Sequence, residues 1–336
     1  MTGPEKLTPS TGKRVPTVSI GMPVFNGADY LEEALDSILA QSFADFELVI
    51  CDNASTDSTE DICRRYADED YRISYHRNGT NIGAHPNYNR TFALSSGRYF
   101  KWAPHDDILR STFLEKCVQA LESQPEAVVC QTFLDYIDDD GQPIGVYDSP
   151  LTGSASARPS ERFAAVVLRG HPAYEVMGLF RRSALEGSLL LESFHGADRA
   201  LLAELALRGW FIRVPEPLLV VRDHKQRYTR AQVRPKDRAT WHDASLKGKL
   251  SFPAWRLYSE YWQMIGRWIS GSRERWACQR VLLRWWFHNY NWARMATDVV
   301  AAFVPNAVAY AERFKQKYIS PAPGADEVRM KSRSQE

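Results

Sequence analysis

Thr17-Val18-Ser19-Ile20-Gly21-Met22-Pro23-Val24-Phe25 is an apolar, β-branched run that stops at Asn26-Gly27, and the alternation that begins with it sets the fold. The run predicts a buried strand ending in a turn. Tyr30, Leu31, Ala34, Leu35, Ile38 and Leu39 then recur at helical spacing and stop before Gln41. Phe46-Glu47-Leu48-Val49-Ile50-Cys51 predicts a second strand, closed by the polar run 52–59. The end of that run has the form of a helix N-cap, with Glu60 and Asp61 in the first turn. The pattern continues through a strand over 73–76, polar residues 77–83, a helix over 85–94 and a strand closing on Asp106-Asp107. A helix over 113–121 and a strand over 127–133 come next. Alternating strands and helices predict an α/β fold: a Rossmann-like, mostly parallel sheet with helices on both faces. Ligands of such sheets bind beyond the carboxyl ends of the strands, where the polar clusters stand here.

The second half reads differently. Residues 200–207 have helical composition, and 211–221 has strand character interrupted by Pro215 and Pro217. From Trp241 the chain is rich in Trp and Arg, predicting a C-terminal helical region with helices over 255–269 and 281–303. Val281, Leu282, Trp285, Trp292, Ala296, Val299, Val300 and Phe303 fall on one helical stripe; Arg280, Arg284, His288, Asn291 and Asp298 fall on the other side. The stripe has two readings. It is core, packed on the α/β domain, or it is a peripheral membrane contact, since Trp and Arg both suit the headgroup boundary. Helical Trp stripes are more often core.

The 336 residues suffice for a full domain with an appendage, and a net charge of +1 gives no global sign of a nucleic-acid partner. The five cysteines are scattered without a CxxC, against a zinc site or a disulfide framework and in keeping with a reducing compartment. The expected location is therefore cytoplasmic, peripheral at the inner face of the membrane if the C-terminal helices touch it. The expected division is a disordered leader 1–14, an α/β domain 15–238, a helical region 239–319 and a disordered tail 320–336. No apolar run approaches the roughly 20 residues of a membrane span.

Two adjacent carboxylates such as Asp106-Asp107 are costly unless something positive sits beside them. A hard divalent cation answers that need, and a cation so held grips a diphosphate. Alone the pair is weak, because most such pairs are solvated turn residues. Here, however, four polar clusters end four successive elements: 23–26, 52–57, 77–83 and 105–107.

Ile20-Gly21-Met22-Pro23-Val24-Phe25-Asn26, Val49-Ile50-Cys51-Asp52-Asn53-Ala54-Ser55-Thr56-Asp57, Asn81-Ile82-Gly83 and His105-Asp106-Asp107 occur in that order. In these motifs the sequence resembles the family 2 nucleotide-sugar glycosyltransferases of GT-A fold, over residues 15–230. The resemblance implies a nucleotide and donor pocket formed by Pro23, Phe25, Asn26, Asp52, Asn81, Gly83 and Asp106. It implies that Asp52 bonds the base. A carboxylate accepts from a pyrimidine ring N–H, which fits uracil or thymine; the expected donor is a UDP-sugar, with GDP- and dTDP-sugars as alternatives. The other reading of Asp52 is an Asx-turn. Ser55, Thr56 and Asp57 read as helix caps ahead of ligand contacts.

By the same resemblance Asp106 faces the ribose or metal-bound water, and Asp107 ligates a divalent metal, Mn2+ or Mg2+. His224, in Val221-Arg222-Asp223-His224, reaches the metal or the diphosphate, and Arg222 pairs with phosphate; the alternative for His224 is a surface-loop histidine. His105 departs from the small or acidic residue of many relatives. The base that takes the acceptor's proton is expected at Asp198, which opens a helix and is also a favourable cap. Tyr174–Arg182 resembles the acceptor segment, and Glu175 and His195 are expected to line the acceptor cleft. The implied reaction is metal-dependent, inverting transfer of a sugar to a hydroxyl of a glycan, glycolipid or polysaccharide. Two other classes compete. One is a non-catalytic nucleotide-sugar binding protein on the same scaffold. The other is a nucleotidyltransferase, which would carry a Gly-rich basic loop where Pro23–Gly27 stands.

Overall fold

The computed structural model describes residues 15–151, 155–224, 242–243, 245 and 252–303; the expected leader, the boundary at 238 and the tail lie outside them. Among the described residues nine strands form one sheet: β1 (Val18–Val24), β2 (Phe46–Asp52), β3 (Ile73–Arg77), β4 (Tyr99–Trp102), β5 (Ile108–Leu109), β6 (Ala127–Ile137), β7 (Pro143–Tyr147), β8 (Leu179–Arg181) and β9 (Trp210–Arg222). Their order is β3-β2-β1-β4-β8-β6-β9-β5, with β7 on β6.

The first four strands are parallel, as the alternation predicts. Every residue of β1 is buried, which fits a strand covered on both faces. Val24 stands level with Asp52, and Asp52 level with Arg77, so these strand ends share one edge. Beyond β4 the sheet is mixed: β8 runs antiparallel to β4 and β6, β7 antiparallel to β6, and β5 antiparallel to β9. Sequence periodicity missed β5, β7 and β8 because so few residues carry no period. β9 survives its prolines because its parallel register on β6 slips there: Thr132 pairs with Val214 and Phe133 with Pro217. Pro215 lies in that slip, where a missing N–H costs no ladder bond, and Pro217 stands at its edge.

Helices α1 (Ala28–Leu39), α2 (Thr59–Glu69), α3 (Ala84–Ala93) and α4 (Phe113–Ser123) match the predicted pattern. α1 buries Leu31, Ala34, Leu35 and Ile38, its predicted apolar face. α5 (Pro159–Val167), α6 (Arg182–Leu185) and α7 (Ala197–Arg208) belong to the second half. β4 divides the interior: Tyr99 joins the core of β1, β2 and α1, while Phe100 and Trp102 face a second core with Phe163, Phe180 and Leu201. Phe100 and Trp102 meet edge to face at 5.0 Å. Lys101 between them is fully buried; its Nζ donates to the Met177 carbonyl and lies 4.5 Å from the Phe113 ring centre. Burial pulls this ammonium down to about 8.

The C-terminal region comprises α8 (Pro253–Trp268), α9 (Ser272–Phe287) and α10 (Asn291–Phe303). The single stripe expected over 281–303 is corrected by a break: Asn289 and Tyr290 take φ of 48° and 55°, and the helix restarts. Val281, Leu282 and Trp285 are buried in the second core, whereas Trp292, Val299 and Val300 are exposed on α10. Asn291, expected on the polar side, is buried and donates from Nδ2 to the Trp285 carbonyl at 2.8 Å. The core reading thus holds for the α9 half of the stripe. Among the described residues no helix is long and apolar enough to cross a membrane.

Candidate active site

The edge shared by β1, β2 and β3 gathers the first two polar clusters. Asn26 adopts the predicted turn with φ 49°, and its Oδ1 accepts from the Thr56 N–H at 2.8 Å. The Ser55 hydroxyl accepts from the Asn26 N–H at 2.9 Å, and Thr59 Oγ1 accepts from the Gly27 N–H at 2.9 Å. Ser55 and Thr56 therefore tie the β1 turn to the β2 loop; neither caps α2. Asp57 accepts from the Thr59 N–H, at the start of α2, at 3.1 Å, closer to the cap role expected of it. Pro23 is buried in β1, and Phe25 presents its ring to solvent. Gly27 has no room for a Cβ, which would meet His105 Cδ2 at 2.4 Å. The first turn and the segment 105–107 thus touch through a glycine.

Asp52 is fully buried. Oδ1 accepts from the Ser55 N–H at 2.8 Å, and Oδ2 accepts from Tyr75 Oη at 2.8 Å and Arg77 Nη1 at 2.5 Å. The turn bond and a charge pair are thus both present. Sequence spacing does not point to Tyr75 and Arg77 as its partners. Burial, with the Asp52 hydrogen bond adding to it, pushes the Tyr75 phenol well up.

Behind this edge runs a chain of asparagines that sequence reasoning also missed. Asn53 Nδ2 donates to Asn81 Oδ1 at 2.9 Å and to the Gly83 carbonyl at 3.1 Å. Asn53 Oδ1 accepts from Asn78 Nδ2 at 3.0 Å and from the Ile82 N–H at 2.9 Å. Gly83 takes φ 95° as it leads into α3, and its N–H donates to Asn81 Oδ1 at 2.9 Å. Asn81 and Gly83 therefore shape the loop through Asn53. Replacing the buried Asn53 by Ala strands four partners at once. The expected loss of stability is about 3 kcal/mol, read as a lower urea midpoint at constant slope.

Asp106 and Asp107 lie in the turn between β4 and β5, not on the strand end itself. Ile108 pairs with Val220 and Leu109 with Leu219, so the antiparallel ribbon returns the end of β9 to this turn. His224 Nε2 stands 2.8 Å from Asp106 Oδ2, and the ring packs 4.8 Å from that of Tyr30. His224 is buried, contrary to the surface-loop reading. Arg222, expected near phosphate, is also buried; it donates to Glu33 at 2.5 Å and lies over the Tyr30 ring.

The donor set fits a hard cation. No cage of three or more ligands is assembled among the described residues. Mg2+ and similar ions, however, are commonly held by one or two carboxylates with substrate phosphates completing the shell. The His224 imidazole beside Asp106, with Asp107 adjacent in the same turn, supplies that partial set.

Asp198 belongs to another group of side chains. It sits in the first turn of α7, with Oδ1 accepting from the Arg199 N–H at 2.8 Å. Among the described residues no hydrogen bond or ion pair joins it to Asp106, Asp107 or His224. Its charge is felt instead by His85, at the start of α3. His85 is pushed below its ordinary pKa chiefly by burial, which favours the neutral ring. Its Nδ1 lies 2.5 Å from the Glu192 carbonyl, so Nδ1 carries the proton. Nε2 then accepts from Nδ1 of His242, 2.9 Å away and 157 residues along the chain. His195 is exposed and its ring centre lies 5.9 Å from that of His242. Nothing in the sequence marked His85 or His242.

Glu175 is buried at 2% exposure. It accepts from the Ser149 hydroxyl and, at 3.3 Å, from Tyr147 Oη, and it faces His171 Nδ1 at 3.6 Å. Burial acts to raise its pKa, but His171 and Ser149 outweigh that and hold it below the ordinary value. The structure places this expected cleft residue in the interior.

The Glycosyl transferase family 2 model matches residues 19–188, just over half of the chain. The chain belongs to glycosyl transferase family 2. Among its relatives, an uncharacterized glycosyltransferase of Rickettsia prowazekii is 37% identical over 106 residues, 32% of each chain. The glycosyltransferase GlyG of Streptococcus pneumoniae is 27% identical over 124 residues, 37% of this chain and 41% of its own. The matched stretch spans less than half the length of these relatives. Residues 1–349 of TarS from S. aureus superpose on this family 2 chain with a TM-score of 0.58 at 15% identity, covering 85% of this chain and 80% of that one. The same protein in complex with UDP-GlcNAc gives 0.57 at 14% identity, over 80% and 71%. The shared feature is the GT-A fold, here with a helical C-terminal region.

Proposed function

We propose that this family 2 protein transfers a sugar from a nucleoside diphosphate, UDP ahead of GDP or dTDP, to a hydroxyl of a glycan, glycolipid or polysaccharide, with inversion. The observation that carries the reading is the return of β9 onto the 105–107 turn, which brings His224 to Asp106 at the edge where β1, β2 and β3 end. Asp107, Asp106 and His224 are the residues that would hold Mn2+ or Mg2+. When bound, the ion supplies positive charge against the leaving diphosphate. Asp52 is fully buried on Ser55, Tyr75 and Arg77, so a pyrimidine N–H would reach it by displacing one of them, the part-exposed Arg77 first. Phe25 offers a ring face for the base. Asp198 takes the acceptor's proton in a single displacement. TarS, of the same fold, is seen with UDP and with UDP-GlcNAc, which supports the choice of uridine. The α/β domain is taken to run over 15–238 and the helical region over 239–319. The expected location is the cytoplasm, peripheral at the inner face of the membrane if the C-terminal helices touch it.

Thermal stabilisation by nucleoside diphosphates and their sugars, with and without Mn2+, tests the donor half. A ligand at about 100 times its Kd adds about 2.7 kcal/mol. UDP species should stabilise only with metal; a panel in which no nucleotide stabilises the protein sinks the reading.

A further inference from the structure

We propose that a cavity between α5, α7 and the C-terminal helices binds the phosphate of a membrane-borne lipid, an anion site separate from the Asp106–His224 edge. Calling that lipid the acceptor rests on the transferase reading above; the site itself does not.

The cavity measures about 50 Å3 and is walled by Arg169, Arg199, Arg294, His171, Tyr261 and Trp285. That is room for about three or four water molecules, or for one tetrahedral oxyanion in their place. The three guanidiniums come from three places in the fold: just after α5, the first turn of α7, and α10. Arg169 donates to the Pro150 carbonyl at 2.6 Å and Arg199 to the His171 carbonyl at 2.9 Å. Among the described residues Arg294 makes no hydrogen bond, and none of the three has a carboxylate partner. Many other arginines of this chain are ion-paired, among them Arg64, Arg72, Arg77 and Arg213.

Like charges around one cavity repel; Arg199 is half-buried, while Arg169 and Arg294 are exposed and water screens part of their charge. Each guanidinium has five N–H donors in a planar fork, most of them unused here. A phosphate satisfies both needs, neutralising the charge and accepting several of those donors at once. The nearest acids do not fill this role. Glu175 faces His171 from the protein interior, and Asp198 bonds the Arg199 N–H with its own Oδ1. The Tyr261 phenol feels both Arg199 and Asp198, so the cavity and Asp198 share a wall. An anion held here lies beside the residue that takes the acceptor's proton.

The exposed aromatics at the break between α9 and α10 favour a membrane-borne phosphate over a soluble one. Phe287 and Tyr290, at the break before α10, are 68% and 73% exposed, and Trp292, on another face of α10 from Arg294, is 48% exposed. Val299 and Val300 continue the apolar surface along α10. Exposed aromatics beside arginines have the composition of an interfacial helix.

The test is co-sedimentation of the full chain with phosphatidylcholine vesicles, with or without phosphatidic acid. Wild type should bind the phosphatidic acid vesicles, and pyrophosphate should compete. The double variant Arg169→Gln/Arg294→Gln should bind them roughly a hundredfold more weakly, about tenfold per charge-assisted contact. Arg273→Gln/Arg280→Gln removes the same charge from exposed positions of α9 outside the cavity, and should stay within about threefold of wild type. Equal loss in that control pair overturns the cavity as the site. Equal binding to phosphatidylcholine alone overturns the phosphate, and pyrophosphate binding without vesicle binding overturns the lipid. UDP stabilisation, measured on the same samples, should not change between variants. If it is missing in wild type while the vesicle result holds, the transferase reading falls and the phosphate site stands.

Discussion

Asp198→Asn should lower kcat for sugar transfer by about three orders of magnitude, equivalent to about 4 kcal/mol of barrier, while donor binding stays within about twofold. The substitution keeps the local structure. Asn retains an Oδ1 that can accept from the Arg199 N–H, and the first turn of α7 loses only a favourable charge, worth about 0.3–1 kcal/mol. A carboxamide cannot take a proton from an attacking hydroxyl at neutral pH, so the loss falls on chemistry. Single-turnover transfer with a radiolabelled donor reads the rate, and nucleotide stabilisation reads binding on the same sample. Transfer at the wild-type rate would remove Asp198 from the mechanism. Product of retained configuration would exclude the single displacement even if Asp198 proved essential.

Asp107→Asn should abolish the metal-dependent part of nucleotide stabilisation, about 2.7 kcal/mol at a ligand concentration near 100 times Kd. Chelation of the wild type should give the same result. His224→Ala should produce a similar loss, and the double variant should be little worse than either single one, because two ligands of one ion do not contribute independently. Additive losses would mean that Asp107 and His224 serve different ends. Undiminished Mn2+-dependent stabilisation in Asp107→Asn would take Asp107 out of the metal site. The pairing of β5 with β9 brings the end of β9 back to the turn that carries Asp107, so the result also tests whether that ribbon forms the site.

Much of the site was legible in sequence wherever a polar cluster closes a local element. The Asn26-Gly27 turn, the loop after β2 and the Asn81-Ile82-Gly83 loop all stand where strand and helix periods break off. The bonding partners of those clusters were not legible. Asp52 finds Arg77 and Tyr75 through the parallel register of β2 on β3, and Asn53 finds Asn78 and Asn81 across the same gap. Glu175 carries the charge of a cleft residue, yet Ser149, Tyr147 and His171 meet it inside the protein. A buried carboxylate and an exposed one look the same in sequence until their partners are known.

The sequence by itself determined the alternating α/β order, the parallel half of the sheet, the apolar face of α1 and the placing of polar clusters at strand ends. These come from burial periods and turn chemistry, which act within a few residues. The tertiary structure decided the rest. It joined Asp106 to His224 across 118 positions and His85 to His242 across 157, split the tryptophan stripe at Asn289-Tyr290, and gathered three arginines around one cavity. Such meetings depend on strand register and helix crossing, which are fixed by packing the whole core at once, and no local period encodes them.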